Sequence, residues 1–229
     1  GLRSIAWTDA FQALVMFISA TVLLIVVLRE LGGVAEFISR FEQEHPGLLT
    51  VPSGSGLWGI NMFIGLALPW FFFSLSNPQV SQRFFIPSSV RAMKQMLGGF
   101  LVFGFLYTLI AVLWGFSAVL LVPGLSDPDT ATPALLALPF IPTALALVAM
   151  IGIVAAAVST IDSILLTLSS VWARDVYKGV INPEATERQE LKVGQWVIPV
   201  MALVALLFAW QASARTGLDF MIAPLSAAA

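Results

Sequence analysis

The sequence predicts an all-α fold, a polytopic bundle of membrane-spanning helices. Of its 229 residues, 59% are hydrophobic and only 10% are Asp, Glu, Lys or Arg, and the mean hydropathy is +0.93. A soluble domain normally has about a quarter of its residues charged. A globule of this size could not cover so much apolar surface with so few polar groups, so the solvent around the chain must be lipid.

A helix that crosses a bilayer needs about 20 consecutive, mostly apolar residues. Stretches of this kind recur along the whole chain, separated by polar connectors that hold most of the charged residues and many of the prolines. The predicted spans are five in number and cover residues 5–29, 56–80, 96–122, 141–172 and 194–213.

The first connector, residues 30–55, is predicted to be external and to contain a further short helix. Val34, Phe37, Ile38 and Phe41 recur at helical spacing among acidic and basic residues. Such a pattern is typical of a helix that lies on a membrane surface. The connectors 81–95 and 173–193 hold most of the basic residues and are predicted to be cytoplasmic loops.

The distribution of Lys and Arg predicts the orientation, because cytoplasmic loops carry an excess of both. With a cytoplasmic N-terminus, eight of the 11 basic residues lie inside and three, Arg29, Arg40 and Arg215, lie outside. The chain is therefore expected in the plasma membrane as a multi-pass protein with its N-terminus in the cytoplasm. It begins with Gly1 at a helix start, which favours a piece of a longer protein.

The composition also excludes several functions. A net charge of −2 without a basic patch argues against nucleic acid as a partner. The chain has no Cys and a single His, His45, in a polar stretch. Since no predicted span carries a His, a pair of aspartates or a Ser-Lys arrangement, an intramembrane enzyme is not expected.

Three segments resemble the sodium:solute symporter family. GLRSIAWTDAFQ at the N-terminus is similar to the cytoplasmic start of that family's fifth core helix. NPQVSQRFFIPSSVRAMK, from residue 77, and AAAVSTIDSILLTLSSVWARDVY, from residue 155, resemble the stretch after its sixth core helix and the whole of its eighth. The resemblance implies core helices five to nine of a leucine-transporter-like fold, an inverted repeat that is only partly present, with the partner helices elsewhere in the full-length chain.

Ala156, Ser159, Thr160 and Ser163 follow one another at offsets of three, four and seven, and so share one stripe of the fourth span. Hydroxyl and carbonyl oxygens suit a hard cation such as sodium, but Ser and Thr in membrane helices also commonly donate to carbonyls of the preceding turn. The resemblance favours the first reading. It implies sodium ligation by the Ser159 and Thr160 hydroxyls and the Ala156 carbonyl, with further ligands from a helix that this chain lacks.

Asp162 lies inside the same apolar helix, where a charge costs about 2.5–3.5 kcal/mol on insertion scales. Asp9 stands at the start of the first span, where interaction with the helix dipole is an alternative role. Some family members have a second sodium site between these helices, which implies a possible site of Asp9, Ser159, Asp162 and Ser163. Those members have a hydroxyl at position 162, so an Asp there either strengthens cation binding or binds a proton.

Pro69 interrupts the second span, and an internal proline frees a backbone carbonyl. Interrupted helices bracket the substrate site of many transporters, although a simple kink is equally compatible with the sequence. The family's sixth core helix is discontinuous, and the resemblance implies that Phe73 takes the position of its inner gate. Trp70 replaces an Asn that is present in sugar-transporting members. The loss of that polar side chain argues against a sugar substrate. The Tyr107 side chain either directs its hydroxyl toward the substrate or packs against neighbouring side chains.

Together these features predict a secondary active transporter that couples inward sodium flow to symport of a small organic solute by alternating access. Sodium is the expected ion, and the lipid bilayer is the expected surrounding. Proline-like amino acids, pantothenate-like acids and monocarboxylates all remain possible solutes. The alternative is a membrane-embedded solute sensor built on the same helices.

Overall fold

A computed structural model describes residues 2–50 and 59–212, and every regular element within them is helical. This confirms the predicted all-α class. The α-helices are, in chain order, α1 (Leu2–Glu30), α2 (Val34–Glu44), α3 (Ile60–Ser76), α4 (Pro78–Ser81), α5 (Val90–Leu121), α6 (Ala131–Leu136), α7 (Thr143–Val171) and α8 (Glu187–Ala212). Two short 3₁₀ helices precede α5 and α6, and a π-helix, Trp172–Ile181, continues α7.

Four of these helices are long and apolar enough to cross a membrane: Ala6–Glu30, Val90–Leu121, Thr143–Ile181 and Glu187–Trp210. The predicted second span appears as the shorter helix α3, which has 17 residues and is therefore about 26 Å long. A bilayer's hydrocarbon core is about 30 Å thick. Residues 56–58, where this span was expected to begin, and Arg215, counted among the external basic residues, lie outside the described residues.

The end of α1 shows why the chain turns where it does. Gly32 and Gly33 have φ values of 83° and 96°, a backbone region in which a residue with Cβ is strained. The Gly33 N–H donates to the Leu28 carbonyl at 2.7 Å and the Gly32 N–H to Arg29 at 3.1 Å. These two bonds form a Schellman motif, which satisfies the last carbonyls of α1 before α2 begins.

The chain divides into two compact units, Gly1–Ala155 and Ala156–Ala229. In the first unit, the ends of α1 and α5 pack with α2, α6 and the start of α7 around a core that includes Val27, Phe41 and Leu120. Phe37 and Phe41 of α2 are buried in this core, whereas Val34 and Ile38 are exposed. The predicted short helix therefore exists, but half of its apolar stripe contacts protein rather than the membrane surface.

In the second unit, the end of α7 and its π-helical continuation pack against the start of α8. The Ser169 hydroxyl donates to the Gly194 carbonyl at 2.8 Å in a buried contact. Lys178 and Arg174 both contact Glu190, with N–O distances of 3.2 and 3.5 Å. These contacts fix the two helix ends side by side.

Candidate functional site

The α7 stripe begins with a direct contact between two of the predicted sodium ligands. The Thr160 hydroxyl donates to the Ala156 carbonyl at 2.9 Å. A hydrogen bond from a hydroxyl to a carbonyl of the preceding turn is the alternative to ion binding that the sequence leaves open. Thr160 is exposed, and Ser159 and Ser163 are half-buried.

The same geometry is compatible with a cation. Hard cations of about sodium's size hold oxygens at about 2.4 Å, so two oxygens 2.9 Å apart subtend about 75° at the ion. Neighbouring ligands in octahedral and pentagonal-bipyramidal sites subtend about 72–90°. The Ala156 carbonyl and the Thr160 hydroxyl can therefore act as adjacent ligands once the hydroxyl turns its hydrogen away from the carbonyl, because a hydrogen held between the two oxygens would face the cation.

Asp162 is exposed, and its carboxylate forms no hydrogen bond or ion pair with the other described residues of its unit. Helical geometry of 100° per residue separates its direction from that of Ser159 by about 60° and from that of Thr160 by about 160°. Asp162 therefore flanks the stripe on the Ser159 side. It is unsuited to the same ion as Thr160 and suited to a separate site that includes Ser159.

Asp9 in the first unit has a partner that the sequence did not predict. An Arg83 guanidinium nitrogen lies 3.4 Å from an Asp9 carboxylate oxygen, and the side chains are 54% and 22% exposed. One turn after Asp9, the Gln12 side-chain oxygen is buried without a hydrogen-bond partner among the described residues. Because 74 residues separate Asp9 from Arg83, no local spacing reveals this pair.

The predicted second cation site draws on both units, since Asp9 belongs to the first and Ser159, Asp162 and Ser163 to the second. The complete site stays a prediction.

The two proposed gate residues lie on α3. The helix continues through Pro69 to Ser76, so the expected interruption does not occur at the proline, and the chain leaves the helix at Asn77 instead. The Trp70 and Phe73 rings are in contact, with centroids 5.2 Å apart. Trp70 is 60% exposed and Phe73 36%, so most of the indole, but less of the Phe73 ring, is open to a neighbouring element.

Tyr107 lies on the wall of a cavity of about 440 Å³ within the first unit. Its ring stacks on Phe103 at a centroid distance of 6.1 Å. The cavity is mostly apolar, with polar atoms from Ser19 and from the Trp114 indole, which donates to the Thr132 hydroxyl at 3.2 Å. Tyr107 thus both packs and lines a cavity large enough for a small solute, two roles that the sequence alone presents as alternatives.

The fold is that of a polytopic membrane protein. Its long apolar helices are connected by polar segments and carry hydroxyls and carboxylates inside an apolar sequence. The model of the sodium:solute symporter family matches residues 1–229. The chain belongs to this family, as its three resembling segments predicted.

Curated relatives include the high-affinity proline transporter PutP of Bacillus subtilis, 26% identical over 92% of this chain and 44% of the relative. Sodium/proline symporter 2 of Staphylococcus saprophyticus is 29% identical over 92% of this chain and 41% of its own length. The sodium/pantothenate symporter of Haemophilus influenzae is 26% identical over 91% and 43%. The chain thus spans less than half the length of these relatives, whose names are those of transporters and not of enzymes. No solved structure matches the chain significantly.

Proposed function

We propose that the full-length protein is a secondary active transporter, a symporter that uses the sodium gradient to take up a small organic solute by alternating access. The family match along the whole chain supports this, as do relatives that are named sodium symporters. The observation that carries the proposal is the pair of adjacent oxygens on α7, from Ala156 and Thr160. We propose that both bind sodium together with Ser159.

Coupling then has a simple thermodynamic form. Sodium bound at α7 stabilises the conformation that binds solute, and the solute raises the affinity for sodium by the same factor. Release of sodium to the cytoplasm lowers the affinity for the solute, which then dissociates. The proposal places the protein in the plasma membrane with the start of α1 in the cytoplasm.

Among solutes, the proposal favours an amino acid such as proline. Relatives named for proline transport support this choice. Trp70 at the position of a sugar-binding Asn argues against a sugar, although sodium/myo-inositol cotransporter 2 of Oryctolagus cuniculus is also a relative, at 26% identity. We propose Trp70 and Phe73 as gate residues and Tyr107 as a hydroxyl that faces the solute.

The test is uptake of radiolabelled proline, pantothenate and pyruvate by the full-length protein in proteoliposomes, with and without an inward sodium gradient. We expect proline uptake that requires sodium. If none of the three solutes is taken up in a sodium-dependent way, symport of these solute classes is contradicted. Sodium-dependent binding without uptake would favour a sensor.

Site variants test the sodium ligands. Thr160→Ala or Ser159→Ala removes one ligand and should raise the sodium concentration for half-maximal uptake by about tenfold. Ser170→Ala is the matched control, because the Ser170 hydroxyl is also exposed on α7 and also donates to a carbonyl of the preceding turn, that of Leu166 at 2.8 Å. If Thr160→Ala and Ser170→Ala change the sodium requirement equally, the hydroxyls serve only the helix backbone.

A further inference from the structure

An open groove lies where the end of α7 meets the start of α8, away from the proposed sodium ligands. It has a volume of about 530 Å³. Its walls are Val193, Val197, Val200 and Met201 together with two tryptophans and one lysine, Trp172, Trp196 and Lys192. Trp172 is 43% exposed and Trp196 is 74% exposed.

We propose that this groove binds an anionic phospholipid, with the phosphate at Lys192 and an acyl chain along the apolar wall. The proposal requires only that this end of α7 and α8 lies at the membrane interface. It does not depend on which solute or ion the protein transports.

The order of side chains along α8 matches the layers of a bilayer. Lys192, Trp196 and Val200 are four residues apart and share one face of the helix. Successive members are therefore about 6 Å apart along the axis. The polar layer on each side of the hydrocarbon core is about 5–7 Å thick, so with Trp196 at the boundary, Lys192 reaches the headgroup phosphates and Val200 the acyl chains.

The charges near the groove leave Lys192 available for an anion. Glu190, two residues earlier, is contacted by Arg174 and Lys178. Lys192 forms no ion pair with the described residues of its unit, and neither does Arg188, which is exposed one turn earlier on the same face of α8. A phosphate supplies the negative charge that the neighbouring protein groups do not.

The two tryptophans support a lipid rather than a protein segment as the occupant. Neither indole N–H forms a hydrogen bond with the described residues, and exposed indoles are typical of the membrane interface, where ring and N–H meet apolar and polar surroundings. An apolar helix laid over the groove would leave the Lys192 ammonium without a counter-ion. A phospholipid satisfies the ammonium, the indoles and the apolar wall together.

The test is native mass spectrometry of the full-length protein in detergent, titrated with phosphatidylglycerol or phosphatidylcholine. We expect the wild-type protein to retain phosphatidylglycerol in preference, and Lys192→Gln to weaken that binding about fivefold. Lys192→Arg keeps the charge and should keep the binding. The control is Lys94→Gln, which removes a charge from another exposed lysine, in the first turns of α5, and should leave the binding unchanged.

Equal retention of the two lipids, or equal losses in Lys192→Gln and Lys94→Gln, would overturn the proposal. A second measurement uses brominated phosphatidylglycerol, which quenches tryptophan fluorescence on contact. The quenching should fall when Trp172 and Trp196 are both replaced by Phe. Unchanged quenching in that variant would mean that another segment of the full-length chain covers the groove, and would also overturn the proposal.

Discussion

The ion pair between Asp9 and Arg83 gives a physical meaning to two residues that the sequence assigned to unrelated roles. The sequence predicts that Asp9 binds a cation or interacts with the helix dipole, and Arg83 is one of the eight basic residues that predict the cytoplasmic side. The structure brings the guanidinium to 3.4 Å from the carboxylate. A cation that binds the Asp9 carboxylate must then compete with the positive charge of Arg83.

This competition predicts the direction of a mutational effect. Arg83→Gln removes the competing charge. If Asp9 contributes to ion binding, solute uptake should then reach half of its maximal rate at a lower sodium concentration. Exposed ion pairs contribute about 0.2–1 kcal/mol, and Arg83 is 54% exposed, so the shift should be at most about fivefold. The measurement is the sodium dependence of solute uptake in proteoliposomes.

Arg91→Gln is the matched control, because Arg91 is also exposed and basic and lies in the same predicted connector, residues 81–95, but has no ion pair with the described residues. It should leave the sodium requirement unchanged. A higher sodium requirement in Arg83→Gln would mean that Arg83 orients Asp9 for the ion rather than competing with it.

For single residues, the sequence predicts which side chains carry oxygen ligands better than it predicts what those side chains contact. The hydroxyl stripe on α7 follows from helical periodicity alone, because its members lie within seven residues of each other. The Asp9–Arg83 pair and the Trp114–Thr132 hydrogen bond depend on how separate segments fold together, which no local pattern encodes. Gln12 stands one turn after Asp9, but the burial of its oxygen also depends on tertiary packing.

Among the elements, α7 and its π-helical continuation approach α8 closely at Gly194, where a small side chain is required. A Cβ added to Gly194 would lie 3.0 Å from the Ser169 hydroxyl and 3.7 Å from the Ala173 methyl group. Gly194→Ala should therefore push the helices apart and destabilise their packing by about 1–3 kcal/mol. The measurement is the apparent melting temperature of the purified full-length protein.

Two variants make this prediction specific. Ser169→Ala combined with Gly194→Ala removes the oxygen that the new methyl group would meet, so it should recover part of the lost stability. Gly104→Ala in α5 introduces a methyl group where nothing lies within 4 Å, and should be neutral or stabilising, since Gly in a helix interior costs about 0.5–1 kcal/mol relative to Ala. Equal losses in Gly194→Ala and Gly104→Ala would contradict the packing argument.

The existence of the helices was predictable from apolar length, but their ends were not. α5 begins at Val90, six residues before the predicted span, because the Ser89 hydroxyl accepts the Ala92 N–H at 3.2 Å and caps the helix. The helix therefore includes Arg91 and Lys94, which a hydropathy argument assigns to a loop. Likewise, the π-helix from Trp172 to Ile181 continues α7 through residues that composition describes as a polar connector.

On the scale of the whole molecule, the fold class and the family were predictable, whereas the arrangement of the complete transporter was not. The chain covers less than half the length of its relatives. Many apolar side chains of the spanning helices are exposed, for example Phe100 and Trp210 at 73% and 82%. Such surfaces are covered by lipid or by further helices, and the sequence does not distinguish the two because both are apolar.

Orientation in the membrane is a property of the whole molecule that can be tested directly. The count of basic residues predicts that α2 is external and that the turn between α7 and α8 is cytoplasmic. Glu42 and Glu184 are exposed in these two places and form no ion pair with the described residues. In a full-length protein without other cysteines, Glu42→Cys should react with a membrane-impermeant maleimide on intact cells, and Glu184→Cys only after permeabilisation. The opposite labelling would contradict the orientation, and the Lys192 groove would then meet lipids of the outer leaflet.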